Sequence, residues 1–268
     1  MMSERSCRME HFNSEARLAS GTRMRKITAV TFDLWDTLIK EHPGGSDKVA
    51  KLRIDGIGKI LSAKGATHSL EEIESAHRET GDFLALTWSK RRDMSARDQV
   101  LFMLSSVDAK LASRLSANDM AEIERIYSES ILDNPPVLLT GAKKALEEVR
   151  GGGYRIGLIS NTGRTPGSVL RTLMDRMGIL EHFDVTTFSN EIQVRKPAEM
   201  AFRVTLDKLK VVPRSAVHIG DDPEKDVEGA KRCGMKAIQI VAGNESPSDL
   251  ADASRSNLSH ILEEIAKL

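Results

Sequence analysis

The 268-residue chain is poor in cysteine, in aromatic side chains and in net charge. Its two cysteines, Cys7 and Cys233, belong to no motif, which argues against a disulfide framework and fits a reducing compartment. Aromatics make up only 4% of residues, yet 40% are hydrophobic, enough for a packed core. Lysine plus arginine number 39 and aspartate plus glutamate also 39, so no overall field draws nucleic acid or an anionic membrane. No apolar run approaches the length needed to span a bilayer. Residues 1–23 lack the apolar centre of a signal peptide. Internal repeats and low-complexity tracts are absent as well. The expectation is a soluble, cytoplasmic protein with neither a nucleic-acid nor a membrane partner.

What is present is a regular alternation. Residues 1–23 are polar and mixed in charge and read as a disordered extension, with the fold beginning near Met24. Five short, β-branched-rich segments suit buried parallel strands: Ile27 to Phe32, Tyr154 to Ser160, Val185 to Phe188, Ala216 to Gly220 and Lys236 to Val241. Between the later strands lie helices with readable ends. Thr140 is placed to cap a helix stopped by Gly151-Gly152-Gly153, and Thr165-Pro166 to open one closed by Gly178. A short helix is expected from Asp226 to Cys233, ending at Gly234. Strands alternating with helices predict a doubly wound α/β sheet.

The segment after the first strand has no strand-like alternation. Val49, Leu52, Ile57, Ile60 and Leu61 fall near one helical face, and Ser69-Leu70-Glu71-Glu72 is a capping box ahead of Ile73, Ala76, Phe83 and Leu84. Ser95 to Asp98 and Ser116 to Asp119 repeat the start signal, while Pro43-Gly44-Gly45 and Pro135-Pro136 punctuate the two ends. This predicts a helical domain over 44–135, inserted into a core made of 24–43 and 136–268.

Open α/β sheets bind ligands outside the carboxyl ends of their strands. Four predicted strands end in residues suited to phosphoryl chemistry. The first delivers Asp33 and Thr37, the second Ser160-Asn161, the third is followed by Arg195-Lys196-Pro197, and the fourth ends in Gly220-Asp221-Asp222 with Asp226 opening the next helix. A carboxylate attacking a phosphoryl group meets charge repulsion and needs neutralisation. Lys196 offers a point charge, and Asp33 with Asp221 can hold Mg²⁺. The hydroxyls of Thr37 and Ser160 can hold phosphoryl oxygens. Arg164, in the loop after Asn161, is a candidate substrate contact. Trp88 to Arg92 reads as a solvated helix end, and His218 as a core histidine.

In order and context these segments resemble the four motifs of the haloacid dehalogenase (HAD) superfamily. Asp33-Leu34-Trp35-Asp36-Thr37 resembles the first, Ser160 the second, Lys196 the third, and Gly220-Asp221-Asp222 through Asp226 the fourth. The resemblance spans Lys26 to about Gly243. It implies a Rossmann-like core and a helical C1 cap over the site. Asp33 would be the nucleophile and Lys196 its neutralising partner, with phosphate bound by Thr37, Ser160, Asn161 and Arg164. Mg²⁺ would be held by Asp33, the Trp35 carbonyl, Asp221 and Asp226, with Asp222 a further candidate. The implied substrate is a small phosphorylated anion.

Trp35 departs from the pattern, because family phosphatases carry their acid–base aspartate there. Indole cannot pass that proton, and losing a general acid–base typically costs ~10²–10⁴-fold. Asp36 is the adjacent carboxylate, but an extended segment would point it elsewhere. Three alternatives follow. Family 2-haloacid dehalogenases carry an aromatic here but lack the fourth motif's acids, and they need a substrate arginine, for which Arg53 is a candidate. Phosphonoacetaldehyde hydrolases need a cap lysine, to be sought among Lys48, Lys51, Lys59 and Lys64. A slow-turnover phosphate-binding regulatory module is the third.

Overall fold

The described residues form eight strands, of which the central ones are covered on both faces by aliphatic and β-branched side chains: β1 (Ala29–Phe32), β2 (Ile39–Lys40), β3 (Val137–Leu138), β4 (Arg155–Ser160), β5 (Val185–Phe188), β6 (Ala216–Gly220), β7 (Lys236–Ile240) and β8 (Ala253–Arg255). The structure is a computed structural model that describes residues 27–65, 68–243 and 245–268; the extension expected over 1–23 lies outside them. Six strands make one parallel sheet in the order β5-β4-β1-β6-β7-β8, and β2 pairs antiparallel with β3. The chain starts at the sheet centre, steps outward through β4 to β5, then returns to the other side of β1 for β6, β7 and β8. The direction of winding therefore reverses beside β1, which places the ligand crevice at its carboxyl end.

The helices are α1 (Gly45–Ala63), α2 (Leu70–Ser89), α3 (Ala96–Val107), α4 (Leu111–Arg114), α5 (Ala117–Glu129), α6 (Ala142–Gly151), α7 (Gly167–Arg176), α8 (Ser189–Ile192), α9 (Glu199–Leu209), α10 (Gly229–Cys233) and α11 (Ile261–Lys267). Residues of α6, α7 and α11 cover one sheet face with Leu146, Val149, Leu170 and Ile261, and residues of α9 and α10 cover the other with Phe202, Leu206 and Ala230. Helices α1 to α5 share their own apolar centre of Ile57, Leu61, Ile73, Met103, Leu104 and Tyr127. A small seam of Val49, Ile131 and Val169, with Trp35 and Leu132 against it, joins this block to the sheet layers.

The helix starts expected in the insert are present. Ser69 and Glu72 exchange both capping hydrogen bonds, Ser116 and Asp119 do the same, and Ser95 accepts from the Asp98 N–H. Other local expectations are corrected. Gly141, in the left-handed region at φ 86°, takes the N-terminal position of α6 that Thr140 was expected to fill. Pro166 stands one place before α7 instead of inside it. There Gly167 lies so close under the Phe188 ring that a Cβ would collide with it. Leu52 and Phe83 face outward, and Phe83 stacks on Phe102 at 4.3 Å between ring centroids. Arg53 and Ile54 are buried on α1 where Leu52 is not. Helical structure near the fourth motif begins at Pro223 with a wide π turn that runs into α10, so Asp222 opens it and Asp226 lies inside the turn.

Phe202 is fully buried, its ring edge-on to His218 at 5.2 Å and 87°, beneath the end of β6. Phe202→Ala should lower stability by about 3–5 kcal/mol through lost transfer energy and a residual cavity. Urea unfolding should show this as a lower midpoint at unchanged slope.

Candidate active site

The site begins with register. Phe32 pairs with Leu158 of β4 and Ile219 of β6, so Asp33 leaves the sheet between those two strands, its N–H donating to the Ile219 carbonyl at 2.9 Å. Lys196 Nζ donates to Asp33 Oδ1 at 2.5 Å and to Asp226 Oδ1 at 2.5 Å. All three side chains are buried. The same Asp226 oxygen accepts from His218 Nε2 at 3.0 Å, and His218 Nδ1 lies 2.8 Å from Thr31 Oγ1. The other Asp226 oxygen accepts from the Asp222 N–H at 3.0 Å. Gly220 permits this approach, since any Cβ there would overlap the Asp226 carboxyl.

Asn161 holds the lysine from the other side. Its amide donates to the Lys196 carbonyl at 3.0 Å and accepts from the Lys196 N–H at 2.9 Å. Thr37 is fully buried and donates to Asp221 Oδ1 at 3.3 Å, while Gln239 fixes the Asp221 carbonyl at 3.0 Å. Ser160 is buried at the end of β4 with one long hydrogen bond, 3.4 Å, to the Asn161 carbonyl. Asp222 is used differently from the expectation. Its Oδ1 accepts from the N–H groups of Glu224 and Lys225, and it pairs with the Lys225 ammonium, so it serves as a helix cap.

One ammonium cannot neutralise three carboxylates. Burial, with the neighbouring charge of Asp226, pushes the Asp33 carboxyl up to about 7 despite Lys196. Burial and Asp226 push Asp221 up to about 6. For Asp226, burial is outweighed by Lys196 and His218, which hold it below the usual carboxylate range. Asp33, Asp221 and Asp226 each offer an oxygen within 4.8 Å of one another, a hard, acidic donor set that fits a divalent cation such as Mg²⁺.

Asp33, Asp221, Asp226 and Lys196 line a cavity of about 170 Å³. A larger one of about 470 Å³ opens between the helical insert and the sheet, and the two share Trp35, Asn161 and Arg195 as a common wall. Trp35 packs against the seam that joins insert and core. Asp36 corrects the expectation of an extended segment. It adopts φ 56° in a tight turn, its N–H donating to the Ile39 carbonyl at 2.7 Å, and its exposed carboxylate borders the smaller cavity. Arg164 lines the larger cavity, donating to the Tyr127 hydroxyl at 3.0 Å and the His77 carbonyl at 2.8 Å.

Two sets of residues escaped the sequence reading. Asp93, fully buried at its side chain, pairs with Arg195 at 2.7 Å and accepts from Thr162 at 3.2 Å and from Ser189. Trp88 donates to the same carboxylate at 3.1 Å and lies under the Arg195 guanidinium at 4.3 Å, so only the residues after it form the solvated helix end. The second is His218, rightly read as buried, whose imidazole positions Asp226. Its one sequence signal was a titratable residue inside a strand eight places before an aspartate.

The geometry is accompanied by sequence kinship. The haloacid dehalogenase-like hydrolase family matches residues 27–234, most of the chain. The chain belongs to that family. It is similar to the mouse haloacid dehalogenase-like hydrolase domain-containing protein 3, 27% identical over 245 residues covering 91% of this chain and 92% of the relative. A glyceraldehyde 3-phosphate phosphatase of Methanopyrus kandleri is 33% identical over 220 residues, covering 81% and 85%. Among solved structures, a 2-haloacid dehalogenase of Pseudomonas syringae shares the fold at a TM-score of 0.61, 22% identity and coverage of 90% and 99%.

Because Asp33 and Asp221 of this HAD-like hydrolase bind protons more tightly folded than unfolded, their own contribution to the stability of the metal-free protein should decline as pH rises from about 4 to about 7, against the opposite contribution of the buried neutral imidazoles His77 and His218. Asp33→Asn should flatten that decline. Chemical unfolding across the range, with chelator present, checks it; an equally steep decline in the variant would mean that Asp33 does not hold its proton there.

Proposed function

We propose that this HAD-like hydrolase is a cytoplasmic, Mg²⁺-dependent phosphatase that acts on a small phosphorylated compound through an aspartyl-phosphate at Asp33. The observation that carries the reading is the buried Lys196 bridge between Asp33 and Asp226, with Asp221 alongside and a small cavity in front. The glyceraldehyde 3-phosphate phosphatase among its relatives supports it.

Lys196 draws charge from the Asp33 carboxylate and meets the incoming phosphoryl oxygens, lowering the repulsion against attack. An Asp33 oxygen bonds to phosphorus as the ester oxygen leaves with the bonding pair. Water then cleaves the acyl phosphate, releasing phosphate and restoring the carboxylate. Asp33, Asp221 and Asp226, with the Trp35 carbonyl, are the proposed Mg²⁺ donors, and the ion when bound supplies positive charge against the phosphoryl group. Asp222 is left out of this set because its carboxylate caps a helix. Thr37 and Ser160 are assigned to phosphate, Asn161 to positioning Lys196. Residues 44–135 act as a C1-type cap, which Asp93 docks onto the core. Trp35 has no proton to give, so the leaving oxygen takes its proton from water.

Trp35 also favours a dehalogenase, since halide leaves unprotonated, and so does the place of Arg53, the candidate substrate arginine, in the lining of the larger cavity. The clustered acids disfavour it. A phosphonate hydrolase is disfavoured too: Lys48, Lys51, Lys59 and Lys64 are all exposed, and none lines the larger cavity.

Phosphate release from aryl, acyl and alkyl phosphates, with a parallel halide assay on 2-chloropropionate, tests the assignment. We expect release that requires Mg²⁺, falls at least ~10³-fold in Asp33→Asn, and declines steeply as the leaving group becomes more basic, because ~10²–10⁴-fold of acid catalysis is missing. Halide release without metal would replace this reading with dehalogenation. Mg²⁺ binding without turnover of any substrate would replace it with a phosphate-binding module.

A further inference from the structure

Three arginines line the 470 Å³ cavity beneath the insert, and their partners differ. Arg195 is paired with Asp93. Arg53 and Arg164 form no ion pair with any carboxylate among the described residues; their partners are neutral. Arg53, only 6% exposed, donates through Nε to the Tyr127 carbonyl at 2.6 Å and through Nη2 to Thr165 Oγ1 at 3.0 Å. Arg164 donates to the Tyr127 hydroxyl and the His77 carbonyl. The acids that border this cavity, Glu41 and Asp47, sit on its exposed rim; Glu41 accepts from Ser46 and acts on Arg53 only through space, without an ion pair.

Close to both arginines lies His77. It is 8% exposed, and its Nε2 is buried without a hydrogen-bond partner among the described residues. Burial, reinforced by Arg164 and Arg53, depresses its imidazole to about 3, so it is neutral. Burial and the neighbouring Arg164 also lower Arg53, to about 10. Helix α2 is shaped to admit this cluster: a Cβ on Gly81 would stand 2.8 Å from Arg164 Nη2.

A buried guanidinium without an ion-pair partner, as at Arg53, is costly, and the like charge of half-buried Arg164 beside it adds to the cost. Docking the insert onto neutral acceptors needs only neutral donors, so two guanidiniums and an orphaned imidazole nitrogen point to an anion that enters the cavity. We propose that Arg53, Arg164 and His77 form a second anion subsite. It takes a carboxylate or second phosphate carried by the same molecule whose phosphoryl group meets Asp33. The substrate class is then a phosphomonoester with a distal oxyanion, an assignment that rests on the phosphatase reading above. Guanidinium forks bind oxyanions in two-point fashion, and His77, protonated on Nε2, adds a third donor. Trp35, Asn161 and Arg195 wall both cavities, so one molecule can occupy the two together.

Binding to full-length Asp33→Asn tests the subsite without turnover. Three esters on one three-carbon skeleton serve as probes: propyl phosphate, 3-phosphooxypropionate and propane-1,3-diyl bisphosphate. In calorimetry at least one doubly functional ester should bind roughly 10- to 100-fold tighter than propyl phosphate, the range expected of charge-assisted hydrogen bonds. Whichever of the two gains more identifies the distal group as carboxylate or phosphate. Adding Arg53→Met or Arg164→Met should bring the ratio of affinities towards one.

A ratio near one before any arginine is changed overturns the subsite, and that result needs no arginine variant to fold. So does an unchanged ratio in both arginine variants: melting points lowered at constant ratio would make the arginines docking contacts only. Turnover by the native chain separates the two readings. Hydrolysis of all three esters without preference sinks the subsite and keeps the phosphatase. Preferential binding with no hydrolysis of these esters or of the aryl and acyl phosphates above keeps the subsite and sinks the phosphatase.

Discussion

The structure around the crevice depends on one buried ammonium held between two buried carboxylates. Lys196 is the only cation in contact with Asp33 and Asp226 among the described residues, and the surrounding chain is arranged to keep it there. Asn161 pins its backbone from the end of β4, His218 and the Asp222 N–H hold Asp226 from β6 and the π turn, and Gly220 has no side chain to obstruct the approach. The shortage of positive charge is as important as the charge itself. A single lysine facing three acids leaves Asp33 and Asp221 reluctant to ionise, and a centre of that kind has the charge and donors to accept a further cation.

The adjacent residue carries the insert. Arg195 and Lys196 are consecutive, yet the first reaches Asp93 of the insert and the second reaches the acids of the core. Backbone hydrogen bonds between Arg91 and Arg195 and between Asp93 and Gln193 run alongside. One peptide therefore joins the docking of α2 and α3 to the placement of the lysine. Separating Asp93 from Arg195 would strand a buried carboxylate, and stranding one partner of such a pair costs about 3–5 kcal/mol.

How far the sequence shows this depends on the range of each signal. The five strands were readable because a parallel sheet demands continuous apolar runs, and Asp33, Lys196 and Asp221 because each follows such a run. The helix starts at Ser69, Ser95 and Ser116 were readable because a capping bond closes within three residues. Strand β8, Ala-Ser-Arg, was not: at a sheet edge it needs backbone pairing more than burial, and its composition is that of a loop. The family resemblance placed Asp226 ahead of Asp222, but nothing local separates two acids after one strand; the π turn is what brings Asp226 to Lys196. Arg53 sits on the apolar face of α1, and Asp93 in a short loop. Their partners lie 112 and 102 residues away, beyond the reach of any local pattern.

Trp35 is where these observations converge. A fourth carboxylate at that position would crowd a centre already short of positive charge. Indole instead closes the apolar seam with Val49, Ile131 and Val169 and walls both cavities. What it gives up is proton transfer, ~10²–10⁴-fold in rate, or about 3–5 kcal/mol. Binding energy from a remote, non-reacting group can be applied to orientation at the reacting centre. Hydrogen bonds to a charged group contribute about 1.5–3 kcal/mol each, so a pair of arginines at the far end of the substrate is of the size required. On the proposed reading, the missing acid and the two guanidiniums that form no ion pair among the described residues are one feature: a site that relies on holding its substrate at both ends instead of on a second aspartate.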